Sequence, residues 1–305
     1  MKAGFLWQIS IIAAREIESR VVQLLEAVSG HPAVAVYQVE DARVTVSVYC
    51  EKPKAWLTAV RGELAAGLSL FEAAGLGMGP KELVIRKMSR REWAESWKRH
   101  FRPLEIGSVL LIKPSWSRRQ PRPGEALVVI DPGLSFGTGQ HPTTRFCLKQ
   151  LAGWRRGHRG QSLLDIGTGS GILAIAAAKL GYRPVRAFDS DPVAVRIARE
   201  NVRQNAVQHL ISLNRQDLVK MAACGRPGFD VICANLEFDI LMEQTVRILS
   251  RLRPGGLLIL SGILTGQFEC VNQAYRRAGM ELVADEIAGE WHSGSYRRAF
   301  DVIER

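Results

Sequence analysis

"LLDIGTGSGILAIAAAKLG" at 163–181, followed by "PVRAFDSDPVAVRIARENV" at 184–202, decides the fold. A short apolar strand enters a glycine-rich turn and a helix, and the pattern then repeats. That is a βαβ unit in a parallel sheet covered on both faces. Gly167, Gly169 and Gly171 allow a ligand to approach the backbone, and the first amides of the helix lack partners within it. Asp189 ends the second strand, 22 residues after Gly167, where an acid accepts the two hydroxyls of a ribose. Asp191, before Pro192, is expected to cap the second helix.

The alternation extends onward from this unit. "ISLNRQD" leads to a short helix, "FDVICANL" to a long helical stretch over 237–256, and "LLILSGIL" to "GQFECVNQAYRRAG". "MELVADEI" and "SYRRAFDVIE" have no helix between them and are expected to form an antiparallel hairpin at the sheet edge. The expected fold is α/β, Rossmann-like, with a mostly parallel sheet and an antiparallel edge strand, over 123–305.

Residues 1–88 have another rhythm. Phe5, Trp7, Ile9 and Ile11 alternate as in a half-buried strand, and Ile17, Val21, Leu24 and Leu25 share a helix face that Gly30 ends. Strands at 33–39 and 43–50 flank a turn at "EDA", a helix covers about 54–73, and "ELVIRKM" closes the set. The order βαββαβ is that of a small ferredoxin-like α+β domain. Residues 89–122 are the expected connector, where Trp93 and Trp97 share one face of a helix and pack an interface.

Composition limits the function. The 305 residues are 47% hydrophobic and 23% charged, enough for two domains with separate cores. The formal charge of +11 favours acidic partners, including incidental contact with RNA, although each basic cluster is also an ordinary solvated surface. Five scattered cysteines without a C-x-x-C pair argue for a reducing compartment, hence the cytoplasm, and against zinc. Gln8 and Ser10 interrupt the first apolar stretch, which reads as a strand rather than a signal peptide. No apolar run reaches the ~18 residues of a membrane span. Without a heptad or repeat, a monomer is expected.

The glycine loop is D-x-G-x-G-x-G, whereas a nicotinamide dinucleotide fingerprint is G-x-G-x-x-G. Asp165 before the glycines would oppose a pyrophosphate but suits a ligand carrying an ammonium group. S-adenosylmethionine is such a ligand. The motif order resembles class I methyltransferases, and the resemblance implies Asp189 on the ribose and Asp217 near the adenine. Asp217 is equally read as a helix cap.

"DPGLSFGTGQHPTT" at 131–144, with "ANLEFDIL", "LSGIL", "GEW" and the tryptophans of 89–122, resembles the ribosomal protein L11 methyltransferase family over nearly the whole chain. The resemblance implies a class I methyltransferase sheet, S-adenosylmethionine as cofactor, and methylation of lysine and N-terminal amines of ribosomal protein L11 captured by the small domain. It implies cofactor contacts from Phe136, Gly137, Thr138, Gly139 and Thr144 in a covering segment. Asp165, Gly167, Thr168, Gly169, Gly171, Asp189, Asp217 and Asn235 would line the cofactor site. Asn235, ending the fourth strand, would also orient the amine as the catalytic residue; the alternative is a capped turn.

"NLEFDIL" departs from the family at Glu237 and Asp239, which either cap the next helix or, for Glu237, face the pocket and alter amine preference. Other readings also fit these motifs: a lysine methyltransferase of the same build with another protein substrate, and a noncatalytic RNA-associated module that keeps the cofactor fold.

Overall fold

Contacts within the chain divide it into two units, Met1–His100 and Phe101–Arg305. The computed structural model describes residues 5–31, 33–37, 43–51, 54–75, 82–89, 101–131, 139–155, 160–223 and 228–298. Trp93, Trp97, Phe136, Gly137, Thr138 and the "EDA" turn lie outside them.

In the first unit, β1 (Phe5–Ala14) is followed by a single 3-10 turn and α1 (Glu18–Ser29). Then come β2 (Val34–Tyr37), β3 (Arg43–Cys50), α2 (Lys54–Ala73) and β4 (Glu82–Ser89). The sheet order β2-β3-β1-β4 is antiparallel throughout, as expected for the ferredoxin-like arrangement. Ile9 and Ile11 of β1 are fully buried with Val44, Val46 and Val48 of β3. Leu57, Val60, Leu64 and Leu68 recur at helical spacing along α2 and complete that core.

The second unit opens with β5 (Leu104–Ile106), β6 (Leu110–Lys113) and β7 (Ala126–Val129), which form a three-stranded sheet. The expected connector is thus divided, its residues from 101 onward belonging to the larger unit. Next come α3 (Pro142–Trp154), β8 (Leu163–Ile166), α4 (Ile172–Lys179), β9 (Val185–Asp189), α5 (Pro192–Gln204) and β10 (Ile211–Arg215). A 3-10 turn at Leu218–Lys220 precedes β11 (Phe229–Asn235), α6 (Phe238–Glu243), α7 (Thr245–Leu249), β12 (Leu252–Ser261), α8 (Thr265–Arg277), β13 (Met280–Ala288) and β14 (Trp291–Arg298). Asn205, at the end of α5, clamps β7 through both backbone groups of Val129, each at 2.7 Å.

The large sheet has the order β10-β9-β8-β11-β12-β14-β13, parallel except where β14 joins its neighbours. β8 is buried along its whole length, as are Val231–Ala234 of β11, with apolar clusters on both faces. Chain order reverses between β8 and β11, so their carboxyl ends open a crevice.

Two expectations need correction. The long helix over 237–256 is broken at Gln244, whose φ of −102° and ψ of 14° end α6, and the strand begins at Leu252. The last strand starts at Trp291 rather than Ser295, because Ala288 pairs directly with Trp291 across a two-residue turn led by Gly289. Among the described residues no helix is long and apolar enough to cross a membrane.

Candidate functional site

A cavity of about 660 Å³ opens at the carboxyl ends of β8, β9, β11 and β12. Gly167 and Gly169 form its floor after β8, and Asp189, Ser190 and Asp191 its side after β9. Phe188, Val193, Leu218, Val219 and Ile240 supply apolar walls. Gly167 has φ of +70°, and a Cβ there would come within 2.4 Å of Leu236 Cδ2, so the bend admits little but glycine.

Asp189 serves two structural bonds while facing the crevice. Its Oδ2 accepts from Gly169 N at 2.9 Å and its Oδ1 from Asp191 N at 3.0 Å. Each oxygen keeps a further lone pair. Asp191 caps α5 as expected, accepting from Val193 N at 2.8 Å. Asp217 accepts from Val219 N at 2.9 Å, the cap bond expected of it, and it also lines the cavity.

Asn235 sits where β11 ends and lines the cavity. Its Nδ2 donates to Thr143 Oγ1 at 3.3 Å, and Thr143 Oγ1 lies 2.6 Å from His141 Nδ1. Burial holds the His141 imidazole down at about 4, so the ring is neutral near pH 7 and Nδ1 can accept the threonine proton. The ladder Asn235 to Thr143 to His141 fixes the amide and leaves Oδ1 as an acceptor beside Gly262. Trp291 packs edge-on against His141, with ring centroids 5.1 Å apart, and also lines the cavity.

Several residues expected in the cavity wall are elsewhere. Asp165 is 1% exposed, and its Oδ2 accepts from Thr168 Oγ1 at 2.6 Å and Ala174 N at 3.2 Å. It braces the bend from beneath, and Thr168 is spent on it. Burial pushes the Asp165 carboxyl up to about 6, against the pull of those two donors. Gly171 packs on Ala198 of α5, where a Cβ would lie 3.2 Å from the alanine methyl. Gly139 presses on Ile172, the first residue of α4, and is buried. Thr144 is 1% exposed, does not line the cavity, and its Oγ1 has no partner among the described residues.

Of this motif's described residues, Thr143 and His141 line the cavity. No periodicity distinguishes neighbouring threonines in the first turn of a helix. Trp291 and Gln216 were also missed as lining residues. Within the described part of 131–144, Gly139 packs on Ile172 at the start of α4 and Thr143 meets Asn235.

Glu237 occupies the cap position of α6 and reaches the pocket as well. Its side chain makes no capping bond, and it lines the cavity. Asp239 is exposed in the first turn and does not. The wall thus carries four carboxylates, Asp189, Asp191, Asp217 and Glu237, and no lysine or arginine among its described residues, in a chain of charge +11. Among the described residues no group of histidine, cysteine or acidic side chains could hold a metal ion.

The family model for ribosomal protein L11 methyltransferase (PrmA) matches residues 6–299. The chain belongs to the ribosomal protein L11 methyltransferase family. Among its relatives, the protein of that name from Trichlorobacter lovleyi is 44% identical over 218 residues, 70% of each chain. The one from Streptococcus agalactiae is 36% identical over 246 residues, covering 81% of this chain and 76% of the relative. The crystal structure of a ribosomal protein L11 methylase from Lactobacillus delbrueckii subsp. bulgaricus matches with a TM-score of 0.57 and 29% identity, over 65% of this chain and 98% of that one. Family membership therefore accompanies a cavity at the sheet's switch point, a strand-end acid and a fixed strand-end amide.

Proposed function

We propose that the chain transfers a methyl group from S-adenosylmethionine to lysine and N-terminal amines of ribosomal protein L11. The observation that carries this reading is the Asn235–Thr143–His141 ladder at the edge of an acidic crevice, in a chain of this family. The donor set suits the cofactor. A ribose finds free lone pairs on Asp189, an adenine finds the apolar walls of Phe188, Leu218 and Val219 beside Asp217, and a cationic ligand finds a wall of carboxylates, of which Asp217 already has Lys220 Nζ at 3.8 Å. A cavity of this size is in the range of ordinary small-molecule sites, roughly 300–1,000 Å³.

When bound, S-adenosylmethionine supplies an electrophilic methyl carbon. The protein's task is to present a neutral amine. An ordinary lysine ionises near about 10.4, so removing its proton at pH 7.5 costs about 4 kcal/mol. Asn235 Oδ1 accepts an N–H of the amine and aligns its lone pair, and alignment of this kind supplies most of the rate gain. Thr143 and the neutral His141 keep the Asn235 amide from flipping. The ribosomal substrate places the reaction in the cytoplasm.

The direct test incubates the protein with methyl-labelled S-adenosylmethionine and purified ribosomal protein L11, then maps the label by mass spectrometry. Label on L11 amines supports the reading; its absence from L11, with label on another protein in a parallel incubation with whole lysate, would move the substrate elsewhere. Thermal denaturation separates the ligand classes. S-adenosylmethionine at 100 times its Kd should stabilise by about 2.7 kcal/mol, and NAD should not.

A further inference from the structure

We infer that Glu237 captures the charged acceptor amine, and so makes a cationic amine the preferred substrate of the site. The inference rests on the function proposed above and names the residue that would select its substrate. Three of the four carboxylates in the cavity wall are built into the backbone: Asp189 holds Gly169 and Asp191, Asp191 caps α5, and Asp217 caps the turn after β10. Glu237 has no hydrogen-bond or ion-pair partner among the described residues, although the N-cap position usually engages its side chain. It is exposed, lines the cavity, and follows Asn235 by two residues. A solvated carboxylate two residues from the group that orients the amine is free to act as counter-ion to an ammonium supplied from outside the chain.

The chemistry fits both ends of the reaction. The amine arrives as an ammonium and gives one proton to solvent; its lone pair then forms the nitrogen–methyl bond as the methyl–sulfur bond of the donor breaks, that bond's electrons leaving with a neutral thioether, and the nitrogen is again an ammonium. A carboxylate at the entrance attracts the incoming and the once-methylated nitrogen alike. Glu237 is thus a specificity-determining residue, with Asn235 left to orient the neutral form. At a solvent-facing entrance the charge acts on encounter, and salt weakens it.

Steady-state methylation of ribosomal protein L11 by the full chain tests this with Glu237→Gln and, as control, Asp239→Asn, which lies outside the cavity. The expected result is a KM for L11 raised roughly tenfold in Glu237→Gln, with kcat moved less than about twofold. Its kcat/KM should also depend less steeply on ionic strength, and its Kd for S-adenosylmethionine should match the wild type. Asp239→Asn should follow the wild type throughout. An unchanged KM in Glu237→Gln, or a loss confined to cofactor affinity, overturns the inference while leaving the proposed function intact. A wild-type protein that binds S-adenosylmethionine but does not methylate L11 removes both.

Discussion

Thr143 and Thr144 are adjacent in sequence and differ in what each can do. Thr143 links Asn235 to His141, so Thr143→Val should lower kcat about tenfold with little change in Tm. Thr144 buries an unpartnered hydroxyl, and Thr144→Val replaces it with a methyl of similar shape. That change should be neutral or slightly stabilising and leave cofactor affinity alone; weaker binding would restore the contact implied by family resemblance. Asp165 and His141 give opposite pH signatures. The Asp165 carboxyl, held up at about 6, favours the folded state most below its ordinary range near 4, and that contribution is lost as pH rises through 6. His141, held down at about 4, contributes stability above its ordinary 6.5 that is lost as pH falls through 4. Between pH 4.5 and 7.5, urea unfolding should therefore show Asp165→Asn gaining on the wild type by up to about 3 kcal/mol as pH rises, and His141→Asn losing by a similar amount. Parallel profiles for the two variants would contradict these assignments. The spacing of Asp189 from Gly167 was legible because strand length and turn length fix it; the burial of Asp165 was not, because its position before the glycines is the same whether the side chain faces a ligand or the core.

Strands and helices of the larger unit were legible wherever packing made them uniform. β8 and the middle of β11 are apolar without interruption because both faces are covered. The helix over 237–256 misled because its apolar spacing continues through Gln244, while the break depends on local backbone angles. The final strand began early because the tight turn at Gly289 left no residues for a longer loop. The bend at Gly167 yields a prediction for the element as a unit. Gly167→Ala forces a left-handed residue and pushes on Leu236, which should cost about 1–2 kcal/mol and weaken binding of S-adenosylmethionine. Equilibrium unfolding beside ligand titration checks it, and a variant with wild-type stability and affinity would show that the bend tolerates a side chain.

Two cores divide the chain, one within Met1–His100 and one serving the large sheet. Alternation of period two in the first strand and the change to repeated βα units made both legible in the sequence. The boundary was less so, because β5 and β6 join the larger unit through pairing with β7, a contact between segments separated by an irregular turn. A fragment spanning 101–305 should fold, bind S-adenosylmethionine with near wild-type affinity and lose most methylation of L11, if the small domain captures that protein. Circular dichroism, ligand titration and labelled methyl transfer on the fragment test the three parts separately. Full activity without the small domain would assign substrate capture to the crevice alone. The most direct test concerns Asp189: isothermal titration of S-adenosylmethionine into the wild type and Asp189→Ala, with folding checked by circular dichroism. Saturable one-to-one binding by the wild type, weakened at least about tenfold in a folded Asp189→Ala, is the expected result. Equal affinity in the two proteins, or no binding by the wild type, would contradict a nucleoside held at the end of β9.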